Sequence, residues 1–235
     1  MNSFFPILLI GVFVVIFGLL AIYSYQQQQK RLGELLSLAD RLSWKFDSDY
    51  DYSYQDRYSQ FSSFTRGSGR YAYNTLTGSI RSGDESWPAR MGDYHYQTTS
   101  SDGKRTQTHQ HHFSYLLIEL PYATAPDLRI RREGIFDSIA GAFGFDDIDF
   151  ESAEFSKRFH VKSSNKKFAY DVIDPRMMEF LLADEAPAVE VDRGCCCISD
   201  GGSTWSADEF QTHLNWAVKF FDLWPRHLVA ELRSR

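Results

Sequence analysis

The residues best suited to chemistry in this 235-residue chain are histidines. Three of its seven crowd into His109-Gln110-His111-His112, and His95 lies upstream on what reads as the partner strand of a hairpin. On a strand, His109 and His111 point to one face and His112 to the other. His95, His109 and His111 therefore form a candidate site for zinc or copper, since imidazole nitrogens suit both ions. A second cluster, Asp146, Asp147, Asp149 and Glu151, has the groups for acid–base work or for a divalent cation. It lacks the central glycine and terminal bidentate glutamate of an EF-hand loop, so a turn or helix start with Ile148 and Phe150 facing inward is the simpler reading. The three cysteines are consecutive, Cys195-Cys196-Cys197. Neighbours on a strand cannot all face one ion, and no second cysteine pair exists. A Cys–His nucleophile would need His160, His213 or His227, and a palmitate acceptor would need a nearby membrane. The plainer expectation is that Cys195 and Cys197 are small buried hydrophobes on one face. No phosphate loop, dinucleotide fingerprint, nucleophile elbow or zincin motif occurs, and the chain calls for no cofactor.

These residues must be held by an α+β fold. Residues 67–128 read as an antiparallel meander of about five strands, beginning with separate strands at 70–74 and 76–80. Asp102-Gly103 turns the strand through Asp93-Tyr94-His95-Tyr96 back into Phe113-Ser114-Tyr115-Leu116-Leu117-Ile118, because Asp-Gly accommodates positive φ. Residues 159–162 and 168–172 read as a hairpin around Ser163-Ser164-Asn165-Lys166. Asp174-Pro175 is an N-cap followed by proline at N1, which predicts a short helix through Leu182. Val189-Glu190-Val191 and Cys195–Ile198 read as strands around Gly194. Ser206 and Glu209 have capping-box spacing and open a long helix whose Phe210, Leu214, Ala217, Phe220, Phe221 and Trp224 should cover the sheet. Residues 134–145 are apolar but too short to span a bilayer, and a buried loop or short helix is expected there. Residues 47–58 alternate acids with tyrosines and read as a solvated linker.

The chain begins with an uncharged apolar run from Phe4 to Tyr23, roughly 30 Å long as a helix, which matches a bilayer's hydrocarbon core. No basic residue precedes it and Ala21-Ile22-Tyr23 is a poor cleavage site, so an uncleaved anchor is expected rather than a signal peptide. Lys30 and Arg31 follow the run, which places the C-terminal part in the cytoplasm by the positive-inside rule. Leu32, Leu35, Leu36, Ala39 and Leu42 then form one stripe of an amphipathic juxtamembrane helix reaching about Trp44. That stripe should pack on the domain below; a self-associating stub is the alternative, with a homo-oligomer as its consequence. The boundaries expected are 1–25 for the transmembrane anchor, 26–45 for the juxtamembrane helix, 46–132 for a β-rich half and 133–235 for an α+β half, with 46–235 as one domain the alternative. The net charge of −6 and a sequence pI of about 5.6 argue against nucleic acid as a partner.

Several short motifs carry a resemblance: Gly67 with Asn74 and Gly78, Asp93-Tyr94-His95-Tyr96, Asp147-Ile148-Asp149, Phe155 with Phe159 and Val161, and Ala169-Tyr170 with Pro175. Together with the anchor and the leucine-rich helix, the chain resembles a family of uncharacterised bacterial single-pass membrane-anchored proteins, a domain of unknown function. The resemblance implies a bacterial membrane protein and carries no activity. The function expected is that of a non-enzymatic, membrane-anchored cytoplasmic interaction or scaffold domain, with the bilayer and an unknown protein as partners. The alternative is a membrane-tethered metal-dependent enzyme using His95, His109, His111 and the acids 146–149.

Overall fold

The computed structural model describes residues 4–83, 85–103, 105–133, 147–183 and 186–234, with residues 4–12 described by their backbone alone. The apolar segment 134–145 and Asp146 lie outside the described residues. Among those described, eight strands form one antiparallel sheet in the order β1-β2-β3-β4-β8-β7-β5-β6. The strands are β1 (Lys45–Asp47), β2 (Ser68–Ser82), β3 (Glu85–Ser101), β4 (Thr106–Glu119), β5 (Leu128–Arg132), β6 (Phe159–Lys162), β7 (Val189–Asp192) and β8 (Cys195–Ile198). The helices are α1 (Phe4–Leu42), the turns α2 (Tyr54–Arg57) and α3 (Ser62–Thr65), α4 (Ala153–Arg158), α5 (Lys166–Val172), α6 (Pro175–Ala183), α7 (Ala207–Asp222) and α8 (Arg226–Ser234). The α+β class is as expected. β4 pairs with β8 at Leu116–Glu119, so strands from both sides of Arg132 share one sheet.

Strand period two separates two cores. Leu76, Ile80, Ala89, Met91, Leu116, Ile118, Ile130, Val189 and Cys196 point toward α1 and α5–α8, where they meet Leu35, Leu38, Phe168, Met177, Phe210, Phe220 and Leu228. Ala72, Tyr94, Tyr96, Phe113, Tyr115, Leu117, Cys195 and Cys197 point the other way and meet Tyr54, Tyr58, Phe61 and Phe64. The acid–tyrosine segment is therefore not a solvated linker. It begins at Asp47, the last residue of β1, bridges Asp51 to Ala72 and buries Tyr54 and Tyr58 under the sheet.

Three local readings are corrected. The expected strands 70–74 and 76–80 are one strand, β2, whose register shifts between Tyr73 and Leu76 at Asn74, a non-glycine residue at φ 51°. Residues 168–172 lie in α5 rather than in a strand, because the Asn165 side chain accepts from the Phe168 N–H and caps a helix there. The helix after the apolar run ends at Leu42, with Ser43 at φ 56° terminating it before Trp44. The capping box at Ser206 and Glu209 forms as expected, and α8 follows Pro225.

The apolar run and the leucine stripe are one continuous helix, α1. Leu35, Leu38 and Ala39 are buried against the sheet, whereas the large apolar side chains from Phe13 to Ile22 are 46–67 % exposed. Among the described residues no helix is long and apolar enough to cross a membrane. The side chains of the run are described from Phe13 to Tyr23, a stretch of about 16 Å.

Where α1 ends, Trp44 lies flat on β2: a Cβ built on Gly78 would sit 2.3 Å from the indole. Gly78→Ala should therefore lower stability by about 1–3 kcal/mol in chemical denaturation, as overpacking does. In a Trp44→Ala background the same change should cost almost nothing; an equal cost in both backgrounds would refute the contact.

Candidate functional site

The β3–β4 ladder fixes where the histidines go. Its register runs without a break from Ala89↔Ile118 to Ser101↔Thr106 and pairs His95 with His112, Tyr96 with His111, and Thr98 with His109. Residues directly paired across a ladder share a face. His95 and His112 thus lie on the α1 side, and His109 and His111 lie on the other. The proposed trio is split by the sheet, and among the described residues no group of three metal-ligating side chains could hold an ion. Each imidazole but one is engaged locally. His95 bonds to the Gly69 carbonyl through Nδ1 at 2.9 Å and to Gln110 Oε1 through Nε2, and its ring stacks on Tyr71 at 4.5 Å. His111 bonds to Thr98 Oγ1 at 2.7 Å and stacks on Tyr96. His112 Nδ1 meets Tyr73 Oη at 2.9 Å. His109 is exposed.

The other candidates are also accounted for by packing. All three cysteines are buried, and burial raises each thiol, Cys195 to about 12 with Glu119 adding to the effect. Such thiols stay protonated and are poor nucleophiles. Asp147 pairs with His160 at 2.8 Å and Lys162 at 3.6 Å, and Ile148 and Phe150 turn inward as expected. An open groove of about 460 Å³ beside β1 mixes Lys45 and Arg90 with Asp47, Asp49 and Asp51.

What the fold does bring together is a polar centre that sequence reasoning missed. Asp93 on β3 is fully buried on the face covered by α1. Arg31 of α1 donates to it through Nη2 to Oδ1 at 2.6 Å and Oδ2 at 2.8 Å, and through Nε to Oδ2 at 3.1 Å. Asn74 Nδ2 donates to Oδ2 at 3.1 Å, and Ser114 Oγ donates to Oδ1 at 2.6 Å. Arg31 Nη1 reaches on to the Trp205 carbonyl at 3.0 Å, while the Trp205 N–H donates to Ser114 Oγ at 2.8 Å. The left-handed bulge at Asn74 is what aims its amide at Asp93. Two signals were present in the sequence: a lone acid in the strand Met91–Tyr96, and the Arg31 that was read only as membrane-flanking charge. The Ser114 hydroxyl and the Asp93 carboxylate are fully buried and the carboxylate is paired with Arg31, so neither is offered to a substrate. The centre binds and orients α1.

Removing Arg31 would strand a buried carboxylate, so Arg31→Ala should cost about 3–5 kcal/mol in equilibrium unfolding. A paired Arg31→Met, Asp93→Leu variant should recover most of that loss, and failure to recover it would show that the geometry rather than the charge matters. Iodoacetamide at pH 8 should leave all three cysteines unmodified until the chain is unfolded. Burial, with the neighbouring His95 and His111, lowers His112 below its ordinary 6.5. A base whose folded value is depressed contributes stability above its unfolded value and loses it as pH falls through the folded one. Thermal unfolding between pH 7.5 and 5 should therefore show a loss that His112→Gln reduces.

No protein-family model matches the chain, and no curated protein matches it. Among solved structures, the chain is similar to the crystal structure of the mycobacterial trehalose monomycolate transport factor A, TtfA. The TM-score is 0.52 at 11 % sequence identity, over 83 % of this chain and 96 % of that one. At that identity the likeness is one of fold, and it extends over nearly the whole of the other crystallised chain.

Proposed function

We propose that this chain is a membrane-anchored, non-enzymatic interaction domain: α1 enters the bilayer along Phe4–Tyr23, and the sheet domain holds a protein partner at the cytoplasmic surface. One observation carries the anchoring. Large apolar side chains from Phe13 to Ile22 stand exposed on a helix that is clamped to the domain at Arg31. Water is an unfavourable setting for that surface, and lipid is a favourable one. Lys30 and Arg31 at the inner end of the run support a cytoplasmic domain. The non-enzymatic reading is supported by the engaged histidines, the protonated cysteines and a polar centre occupied in tethering a helix. A metal-dependent enzyme on His95, His109 and His111 would need those groups in one cleft, and the strand register works against it. The name of the fold neighbour points to transport, and an accessory role beside a membrane transport system is the partner class that fits an anchored domain of this kind.

The full chain should sediment with membranes and resist carbonate extraction. Val15→Asp with Leu19→Asp should release it, since each central charge costs about 2.5–3.5 kcal/mol on insertion. Protease should cut the domain in inverted vesicles and spare it in intact spheroplasts. Carbonate release of the unmodified chain would overturn the anchor, and cleavage in spheroplasts would overturn the orientation.

A further inference from the structure

Beyond Gln97, where β2 ends its pairing, β3 and β4 continue as a two-stranded arm to the turn at Asp102-Gly103. Among the described residues the outer edge of β4 on this arm is open: β8 pairs with β4 only from Leu116 to Glu119. Backbone parity shows which groups face that edge. The Ser114 N–H donates outward to the Ser203 carbonyl, and the Ser199 hydroxyl donates to the Ser114 carbonyl. The β3–β4 register has no bulge, so Thr106, Thr108, Gln110 and His112 point their N–H and C=O groups the same way, and among the described residues no backbone partner meets them.

Two features make this edge unlike a frayed end. Folded proteins usually blunt an edge with charged side chains, proline, a bulge or a cover. Thr106-Gln107-Thr108-His109-Gln110-His111-His112 has no lysine, arginine, acid or proline, and it is exposed except at His111. The root of the arm is also held by side chains from β2 and β3: His95 and Gln97 to Gln110, Thr98 to His111, Tyr96 stacked on His111 at 4.6 Å, and Tyr73 to His112. An isolated hairpin in water is marginal. These pairs fix Gln110 to His112, and the unbroken ladder carries that alignment out to Thr106, so a docking strand would find its backbone groups already aligned.

We propose that the open edge of β4 between Thr106 and His112 is a strand-addition site that takes an extended polar segment of another protein. A second copy of this chain is disfavoured on symmetry, a step that rests on the anchored reading of α1. Antiparallel β4–β4 pairing would place a two-fold axis normal to the sheet. Helix α1 crosses the sheet along the strands, from Trp44 over Gly78 to Arg31 at Asp93. The axis would thus aim the two α1 helices in opposite directions, and both could not enter one bilayer. In strand addition the main-chain bonds supply affinity, and here Thr106, Thr108 and His109 line the arm with side chains free to meet hydroxyl, amide or carboxylate groups.

The test uses the full chain in lipid nanodiscs and a synthetic heptapeptide of alternating threonine and glutamate, monitored by amide hydrogen exchange. The peptide should slow exchange at Thr108, Gln110 and His112 by at least about tenfold and leave Gln107 and His109, already bonded to β3, unchanged. A peptide with alternate amides N-methylated should give no protection. Thr108→Pro removes only an outward N–H, so it should abolish the effect while the β2–β3 amides keep their protection. Equal exchange with and without the peptide would overturn the proposal. Protection that appears without peptide and grows with protein concentration would also overturn it, in favour of self-pairing. Because exchange is read on the arm alone, failure here leaves the membrane-extraction result standing, and the reverse also holds.

Discussion

The Arg31–Asp93 pair is the interaction on which the arrangement of this molecule depends. A carboxylate with no solvent exposure is strongly unfavourable unless its lone pairs are filled, and here Arg31, Asn74 and Ser114 fill them. The donors come from three places in the chain, the long helix, the bulge of β2 and β4, and Trp205 at the entry to α7 ties two of them together by accepting from Arg31 and donating to Ser114. Hydrophobic burial of Leu35, Leu38 and Ala39 would hold α1 against the sheet with some freedom to slide. The bidentate guanidinium removes that freedom, because its planar fork matches the carboxylate in one orientation only.

The opposite face is built on different chemistry. Phe64, fully buried, lies within 4.9–6.1 Å of the rings of Tyr94, Tyr115, Tyr58, Tyr54 and Phe113 in tilted and edge-to-face arrangements. Tyr94 Oη donates to the Phe64 carbonyl at 2.7 Å, so the aromatic layer is tied to the backbone that presents it. A short segment of two helical turns thus closes one side of a sheet whose other side needs α1 and four further helices. Aromatic rings bury enough area each for so little chain to suffice.

How much of this was legible follows from which signals are local. The N-cap at Asp174, the capping box at Ser206, the Asp102-Gly103 turn and the inward face of α7 are set by residues within one turn of each other, and all appear where the residues place them. The pairing of β4 with β8 joins residues about 80 positions apart, and no local pattern encodes it. The acid–tyrosine segment misled because low complexity looked like solvation, although Tyr54 and Tyr58 lie at the spacing of one helical face. His95 misled because strand parity was counted on β4 alone. Only the register across the turn shows that His112, rather than His109 or His111, shares its face. Arg31 and Asp93 are 62 residues apart, and each had a sufficient local explanation.

The same pair also sets a direction. From Trp44 to Arg31 the helix advances over the sheet as β3 advances from Ala89 to Asp93, because Trp44 rests on Gly78, which pairs with Ala89, and Arg31 reaches Asp93. Past this point α1 continues into its exposed apolar half, and β3 continues through Gln97 into the arm. Both therefore leave the packed part of the domain at the same end. The helix is apolar on every side there, whereas the arm carries threonine, glutamine and histidine on both of its faces. A lipid phase would accept the first and reject the second. On the anchored reading of α1, the arm would stay in water beside the surface that the helix enters. A clamp between one arginine and one aspartate is thus enough to bring an open strand edge and an exposed apolar helix to the same side of a single small domain.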